Sequence, residues 1–209
     1  GDVLFDNLQK SIYATDASVY RKIPLAVAFP KDEKDIKNLI DFAIKNSITL
    51  IPRTAGTSLA GQCVGDGIVV DVSKHFTDII SFDEQAKKIT LQPGIVRDSL
   101  NLFLKPFGLF FGPNTSTSNR CMIGGMVGNN SSGSTSIKYG VTRDKVLEID
   151  AILSDGSSAN FKEITSEEFI KKTKENTLEG KIYKSIYAEL SSKENQHEIK
   201  NEFPKEIIH

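Results

Sequence analysis

The 209-residue sequence predicts an α+β fold with two lobes, a small α/β lobe followed by a larger one. Apolar and amphipathic segments alternate between residues 25 and 51, which is typical of a strand–helix–strand unit. Two short strand candidates at residues 76–82 and 88–92 follow each other without a helix, which favours antiparallel pairing. Asp155 and Gly156 lie between two further strand candidates and predict a hairpin. The larger lobe should therefore contain an antiparallel or mixed sheet flanked by helices.

The first lobe is predicted to cover about residues 1–75. Helical spacing extends over residues 3–12, and the apolar run 25–29, which Pro30 ends, predicts a strand. Asp32 then has the position of a helix N-cap, because its carboxylate can accept from amides in the first turn. The helix that follows should bury one face, and strands are expected at 48–51 and 68–72. That face consists of Ile36, Leu39, Ile40, Ala43 and Ile44.

The second lobe is predicted to cover about residues 76–162, and a helical tail residues 163–209. A helix is expected over 96–104, where Pro106 and Gly108 then interrupt the pattern, and the hairpin strands over 146–153 and 157–161. The tail is rich in Lys and Glu, with Ser166 as the expected first N-cap. Its last residue, His209, follows an apolar pair without a cap or turn pattern, so we expect the chain to be a fragment of a longer protein.

Residues 52–62, here called the first glycine loop, read PRTAGTSLAGQ and follow a strand candidate directly. Such a loop can expose several backbone amides, and a row of such donors binds anions, a diphosphate above all. Gly56 and Gly61 have P-loop spacing, but Gln62 and Cys63 replace the required Lys and Ser or Thr. The dinucleotide pattern G-x-G-x-x-G does not occur in the chain. A plain small-residue turn between two strands stays an alternative interpretation.

Residues 112–133, here called the second glycine segment, read GPNTSTSNRCMIGGMVGNNSSG. A segment of this length and composition is often a flexible loop. However, Ile123, Met126 and Val127 are embedded in it, and its glycines would let a short helix approach another backbone or a ligand. We expect both glycine-rich stretches to face a shared cleft.

Composition excludes several classes of function. Hydrophobic residues make up 39% of the chain and charged residues 25%. Because 26 basic residues stand against 27 acidic ones, no nucleic-acid or anionic-membrane partner is predicted. No apolar run is long enough to span a membrane and the first residues do not form a signal peptide, which favours a soluble, cytoplasmic protein. Two cysteines and three separated histidines give neither a disulfide framework nor a metal site.

Eight motifs in order resemble the FAD-binding domain of the vanillyl-alcohol oxidase and p-cresol methylhydroxylase type. They occupy residues 13–20, 52–62, 69–73, 91–96, 108–118, 123–133, 138–140 and 155–156. Within that superfamily, the chain is most similar to the D-2-hydroxyacid dehydrogenases, which include D-lactate dehydrogenases and the FAD subunit of glycolate oxidase. The resemblance covers roughly residues 10–160 and implies FAD as the cofactor.

The resemblance also implies a role for each glycine-rich stretch. Main-chain amides of the first glycine loop would wrap the FAD diphosphate, with Gln62 holding the loop. Part of the second glycine segment would follow the flavin and ribityl side and part would line the cofactor, while Tyr139 and Gly140 would shape the adenine end. The implied residues are Arg53, Thr54, Ala55, Gly56, Thr57, Ser58 and Leu59 for the diphosphate; Pro113, Asn114, Ser118, Ile123, Gly124 and Gly125 for the flavin side; and Asn129, Asn130, Ser131 and Gly133 for the lining.

The chain departs from the family pattern at several positions. Thr54 and Ala55 stand where glycines are frequent, so these positions are not expected to be left-handed. Met122 replaces a frequent Thr, which would remove a hydroxyl contact. The first glycine loop has no His, and Cys121 is not at the position of a covalent flavin link, so a non-covalent FAD is expected.

The implied reaction is oxidation of a D-2-hydroxy acid, of the D-lactate, glycolate or D-2-hydroxyglutarate class, by hydride transfer to FAD. Relatives carry their substrate contacts and base in a later domain, so no catalytic residue is assigned here and this chain alone should not turn over. The electron acceptor is open and includes an iron–sulfur domain or subunit. Two alternatives remain: another FAD-linked oxidase of the superfamily, such as a sugar or cell-wall precursor oxidoreductase, and a non-catalytic flavin- or nucleotide-binding module.

Overall fold

The computed structural model describes residues Gly1–Phe203, so the predictions that rest on Ile207, Ile208 and His209 lie outside the described residues. The chain divides into two compact units, unit 1 from Gly1 to Val146 and unit 2 from Leu147 onward. The lobe boundaries expected near residues 75 and 162 stay predictions. No described helix is long and apolar enough to span a lipid bilayer.

The elements of unit 1 alternate between strands and helices in its first half and are mostly helical after residue 96. Two 3-10 turns, Lys105–Phe107 and Thr142–Lys145, complete the unit. In chain order the elements are β1 (Asp2–Leu4), α1 (Asn7–Ile12), β2 (Ala26–Phe29), α2 (Glu33–Asn46), β3 (Leu50–Arg53), β4 (Ile68–Asp71), β5 (Ile79–Asp83), β6 (Lys88–Leu91), α3 (Arg97–Leu104), α4 (Ile123–Gly128) and α5 (Ser136–Tyr139).

The predicted strand–helix–strand unit is confirmed and belongs to a four-stranded sheet of order β1-β2-β4-β3. Strands β2, β4 and β3 are parallel, with Ile51 opposite Val69. Val27 and Val69 are fully buried, as expected for central parallel strands covered on both faces. Helix α2 begins after Asp32, whose carboxylate accepts from the Asp35 amide at 2.8 Å, which confirms the predicted cap.

The helix predicted over residues 3–12 is wrong in its first part. Residues Asp2–Leu4 form β1, which pairs antiparallel with β2 and places Val3 opposite Ala28. Asp6 separates the two elements, because its carboxylate caps α1 by accepting from the Gln9 amide at 3.0 Å. A three-residue strand exists only through its partner, and for this reason local spacing did not distinguish it from a helical turn.

A second core lies between α3, α4 and the hairpin of β5 and β6. The hairpin is antiparallel as predicted, with Phe82 opposite Ile89. Side chains of these strands pack against six buried residues of the helical part. The six are Ile95, Leu100, Leu104, Cys121, Ile123 and Met126.

The described part of unit 2, residues 147–203, contains a hairpin and three helices. Strands β7 (Glu148–Ile152) and β8 (Ser158–Lys162) pair antiparallel around the predicted turn, where Gly156 has a φ of +80°. Helices α6 (Ser166–Lys172), α7 (Leu178–Leu190) and α8 (Lys193–Glu202) follow. The N-cap of α6 is Thr165 and not Ser166 as predicted, because Thr165 and Glu168 form a reciprocal capping box.

Candidate functional site

The first glycine loop begins at the carboxyl end of β3. Because β2, β3 and β4 are parallel, their carboxyl ends lie at the same edge of the sheet, where Asp71 ends β4 beside Arg53. Ligands of open α/β sheets bind at this edge. The position of the loop is therefore the one that sheet geometry favours for a binding site.

Two glycines give the first glycine loop its shape. Gly56 has a φ of +66° and Gly61 a φ of +72°, a left-handed conformation that side chains with a Cβ rarely adopt. Thr54 and Ala55 do not have positive φ, which confirms the prediction from their identity. The turn thus depends on glycine at positions 56 and 61, and it accommodates larger residues at positions 54 and 55.

The backbone amides of residues 54–59 in the first glycine loop have no intramolecular acceptor. Among the hydrogen bonds of the described residues, none is donated by an amide of residues 54–59. The next amides are bonded, since those of Ala60 and Gln62 donate to the Ser58 hydroxyl at 3.2 and 3.4 Å. Buried or half-buried amides normally have acceptors. Adjacent unpaired donors on a half-buried loop are suited to an anion with several oxygens.

The Arg53 side chain turns back beneath the loop. Its Nη1 donates to the Thr15 carbonyl at 2.7 Å, and its Cζ lies 5.0 Å from the centre of the Tyr13 ring. A Cβ built on Gly56 would lie 2.3 Å from Nη2, so the guanidinium fills the space under the turn. Within the described part of the chain, no carboxylate lies within 4 Å of this guanidinium. Its positive charge therefore adds to the attraction of the free amides for an anion.

Gln62 connects the two glycine-rich stretches. Its Nε2 donates to Asn129 Oδ1 at 2.8 Å, and its Oε1 accepts from the Ser58 hydroxyl at 2.6 Å. A Cβ on Gly125 would lie 2.7 Å from Thr54 Oγ1. Both contacts show that the two stretches adjoin, while the shared cleft expected from the sequence stays a prediction.

The Pro113–Ser118 part of the second glycine segment is held against the start of α3. The Pro113 carbonyl accepts from Arg97 Nε at 3.2 Å, and the Ser118 hydroxyl donates to Asp98 Oδ2 at 3.1 Å. Pro113 is fully buried. Asn114 contributes its carbonyl to a contact with Gly133, where a Cβ would lie 1.4 Å from that oxygen. These hydrogen bonds fix residues 113–118 to the first turn of α3.

Helix α4 uses its first residues for three different contacts. Ile123 is buried in the second core, and its amide donates to the Ile95 carbonyl at 2.9 Å. Gly124 lies against Pro93, where a Cβ would approach Pro93 Cβ to 2.4 Å. Gly125 is exposed and faces Thr54. Of the three, only Gly125 reaches the first glycine loop.

Residues Asn129, Asn130, Ser131 and Gly133 form a turn that is tied to the next segment. Asn130 has a φ of +45°, and its Oδ1 accepts from the Arg143 amide at 3.0 Å. The Ser131 carbonyl accepts from both the amide and the hydroxyl of Thr142, at 3.1 and 2.6 Å. Because Thr142 is fully buried, its two bonds to Ser131 fix the position of this turn.

Tyr139 and Gly140 lie at the end of α5. The Tyr139 ring packs edge-on against Phe110, with centroids 5.0 Å apart, and leaves no space for a side chain at Gly112. Gly140 has a φ of +78° and caps the helix. No contact in the described residues joins this pair to the first glycine loop.

Sequence reasoning did not assign Tyr13, Asp71 or Pro93 to the site, although each lies in a quoted motif. The Tyr13 hydroxyl donates to Asp71 Oδ2 at 2.5 Å, and Pro93 supports Gly124. A tyrosine or aspartate in a motif does not indicate its partner when that partner is 58 residues away.

A cavity of about 400 Å³ lies in unit 2 and contains none of the predicted site residues. Apolar side chains of α6 and α7 form much of its lining. The residues that line it include Ile164, Phe169, Ile170, Tyr187 and Leu190.

Comparison with known families gives one match over most of the chain. The family described as "FAD binding domain" matches residues 24–161. These residues contain all of the positions predicted from the sequence to hold a cofactor.

Two curated relatives share much of the sequence. D-2-hydroxyglutarate dehydrogenase of Escherichia coli K12 is 35% identical over 208 residues, which are 98% of this chain and 20% of that protein. Glycolate oxidase subunit GlcD of Bacillus subtilis 168 is 32% identical over 152 residues, 72% of this chain and 32% of that subunit. The chain thus spans about a fifth to a third of the length of these relatives.

A solved structure of alkyldihydroxyacetonephosphate synthase has a similar fold. The TM-score is 0.69 at 18% sequence identity, and the match covers 80% of this chain and 33% of that one. At this identity the likeness concerns the fold alone. It confirms the fold class predicted from the sequence.

Proposed function

The chain belongs to the family of FAD binding domains, and from that premise we propose that it holds the FAD of a longer enzyme that oxidises a D-2-hydroxy acid. The observation that carries the proposal is the row of unpaired amides at residues 54–59, at the carboxyl ends of the parallel strands β2, β3 and β4 and above the Arg53 guanidinium, which has no carboxylate within 4 Å. The substrate class is supported by the names of relatives that act on D-2-hydroxyglutarate and glycolate.

The residues of the first glycine loop fit a diphosphate. A diphosphate needs several donors in a concave turn and positive charge nearby, and residues 54–59 offer the first while Arg53 offers the second. Gln62 would hold the loop in place through Ser58 and Asn129. We therefore assign the diphosphate to Arg53–Leu59 with Gln62 in a supporting position.

The second glycine segment would follow the flavin and ribityl side. Pro113, Asn114 and Ser118 are fixed by α3, while Gly125 adjoins the first glycine loop. Ile123 and Gly124 would place helix α4 and not contact the cofactor themselves, since Ile123 is buried in the second core and Gly124 lies against Pro93. The turn Asn129–Gly133 would line the cofactor, and Tyr139 with Gly140 would shape the adenine end.

FAD, when bound, would accept two electrons from the substrate α-carbon. This chain would bind and orient it. We propose a non-covalent FAD, because Cys63 and Cys121 are 7% and 4% exposed and burial raises the pKa of the Cys63 thiol. Neither sulfur is presented as a nucleophile.

Substrate contacts, catalytic base and electron acceptor are assigned to parts of the protein beyond this chain. We assign neither described histidine as the base, since His75 Nε2 is buried and His197 is exposed on α8. An iron–sulfur domain or subunit is one acceptor compatible with the proposal. The cytoplasm is the proposed compartment.

The proposal is tested on the full-length protein in two steps. An absorbance spectrum of freshly purified protein should show bound flavin, and dye reduction should occur with D-2-hydroxyglutarate, D-lactate or glycolate. The L enantiomers of the first two serve as matched controls. Bound flavin without turnover of any D-2-hydroxy acid would contradict the substrate class, and absence of flavin would contradict the binding function.

A further inference from the structure

We propose that Tyr13 and Asp71 are positioning residues for the FAD diphosphate, because they hold the Arg53 guanidinium beneath Gly56 and so fix the first glycine loop. The inference rests on the proposed function. Neither residue needs to touch the cofactor, since each acts through Arg53.

The first step is the bond between Tyr13 and Asp71. The hydroxyl donates to Asp71 Oδ2 at 2.5 Å, while Oδ1 of the same carboxylate accepts from the Ser73 amide at 2.7 Å. Asp71 is 4% exposed, so both of its oxygens are satisfied inside the protein. Burial raises the pKa of Tyr13 and the bond to Asp71 raises it further, which keeps the hydroxyl protonated and donating.

The second step connects this pair to Arg53. Arg53 and Asp71 are opposite each other in the register of β3 and β4, at the last residue of each strand. The Tyr13 ring lies 5.0 Å from Arg53 Cζ, and the carbonyl of Thr15, two residues on, accepts from Arg53 Nη1. One short segment, residues 13–15, therefore binds the ends of both strands.

The third step leads from Arg53 to the loop. A Cβ on Gly56 would lie 2.3, 2.6 and 2.8 Å from Nη2, Cζ and Nε, so the plane of the guanidinium is in contact with the turn. Gly56 has positive φ, and this conformation is maintained by what lies under it. Without the Tyr13–Asp71 bond, the Tyr13 ring is no longer anchored to β4, so the Arg53 guanidinium beneath the turn is held less firmly.

A purely stabilising role predicts a different pattern from a positioning role. If the contact only stabilises unit 1, its removal should weaken the binding of all ligands of the site alike. If it positions the diphosphate loop, its removal should weaken the binding of ligands with a diphosphate and leave the binding of a flavin without phosphates unchanged. FAD and ADP belong to the first group, and riboflavin belongs to the second.

The experiment compares these three ligands in the full-length apoprotein. Dissociation constants are measured by fluorescence for FAD and riboflavin and by competition with FAD for ADP. Tyr13→Phe keeps the ring and removes the hydroxyl, and Asp71→Asn keeps an acceptor and removes the charge. Tyr183→Phe is the control, because Tyr183 is 9% exposed and lies in unit 2.

We expect Tyr13→Phe to raise the dissociation constants of FAD and ADP about tenfold, the range of a hydrogen bond to a charged group, with riboflavin within about twofold. Asp71→Asn should also raise the dissociation constants of FAD and ADP. In the double variant, these constants should lie within about twofold of those of either single variant. Tyr183→Phe should match the wild type.

Equal losses for all three ligands, or FAD and ADP affinities within about twofold of wild type in both single variants, would overturn the inference. If wild-type protein binds none of the ligands, the proposed function itself is wrong. The two failures are therefore distinguishable.

Discussion

In the first glycine loop, Gly56 and Gly61 have positive φ, and the amides from Thr54 to Leu59 have no intramolecular acceptor. In the second glycine segment, Gly112, Gly124 and Gly133 have no positive φ, and each stands where a Cβ would collide with a neighbour. The amides at the start of α4 and in the turn after it are bonded, among them those of Ile123, Gly124, Asn129 and Ser131.

Glycine content alone therefore does not identify an anion site. The first glycine loop uses glycine for a left-handed turn, and the second glycine segment uses glycine for close approach to a neighbouring segment. The φ angles of the glycines and the space around them distinguish the two uses, whereas composition does not. Substitutions at single glycines should separate them experimentally.

The largest effect is expected for Gly133→Ala. The new Cβ would lie 1.4 Å from the Asn114 carbonyl, which is backbone and has little freedom to move. We expect the free energy of unfolding to fall by about 3 kcal/mol or more, measured by urea denaturation. Gly128→Ala is the control, because Gly128 ends α4 and has open space around it. An equal change in both variants would mean that close approach is not the function of Gly133.

Gly56→Val should act on binding more than on folding. Positive φ and the guanidinium beneath both oppose a side chain there. We expect FAD retention to be lost, with the dissociation constant raised more than about 100-fold, while circular dichroism stays close to wild type. Gly108→Val provides the control, since Gly108 has a φ of +67° and no atom within 4 Å of a built Cβ. Its strain should lower stability by about 1–2 kcal/mol without changing the flavin content. Wild-type flavin in Gly56→Val would exclude the loop as the diphosphate site.

Gly125→Leu should have an intermediate effect, because it presses on Thr54 Oγ1, 2.7 Å from a built Cβ, at the junction of the two stretches. FAD binding in the full-length protein should weaken by well over the ~1 kcal/mol that helix propensity explains. Gly128→Leu is the control, because Gly128 lies in the same helix and has open space around it. Its effect on FAD binding should not exceed the ~1 kcal/mol that helix propensity explains. Equal titration curves for the two variants would contradict a role for Gly125 at the junction.

The smallest effect is expected for the hydrogen bond between Gln62 and Asn129. Both side chains are exposed, so a net contribution of about 0.5–1 kcal/mol to FAD binding is expected. A double-mutant cycle of Gln62→Ala and Asn129→Ala, with FAD dissociation constants as the measurement, isolates this term. Additive losses would show that the bond does not couple the stretches.

Local patterns in the sequence predicted the elements that local interactions determine. The cap of α2 at Asp32, the strand–helix–strand unit that contains α2 and the two hairpins were predicted correctly. Of the face predicted for α2, Ile40 and Ala43 are buried, whereas Ile44 is 58% exposed. Thr54 and Ala55 also indicated correctly that those positions are not left-handed.

Features that depend on distant partners could not be predicted. Strand β1 is defined by its pairing with β2, and the contacts of Gly124 and Gly133 depend on Pro93 and Asn114. The link from Tyr13 to Asp71 joins residues 58 positions apart. The sequence located the candidate loop, but the support beneath it is visible only in three dimensions.

The free amides above a fixed guanidinium also have a kinetic consequence. Because the contacts that hold Arg53 against the turn lie within the chain, we expect the loop to become ordered when the chain folds and not when FAD enters. Association should then need no slow rearrangement of residues 54–59, and differences in affinity among loop variants should appear mainly in the dissociation rate. Stopped-flow binding of FAD to apoprotein should accordingly give one phase with a rate proportional to FAD concentration.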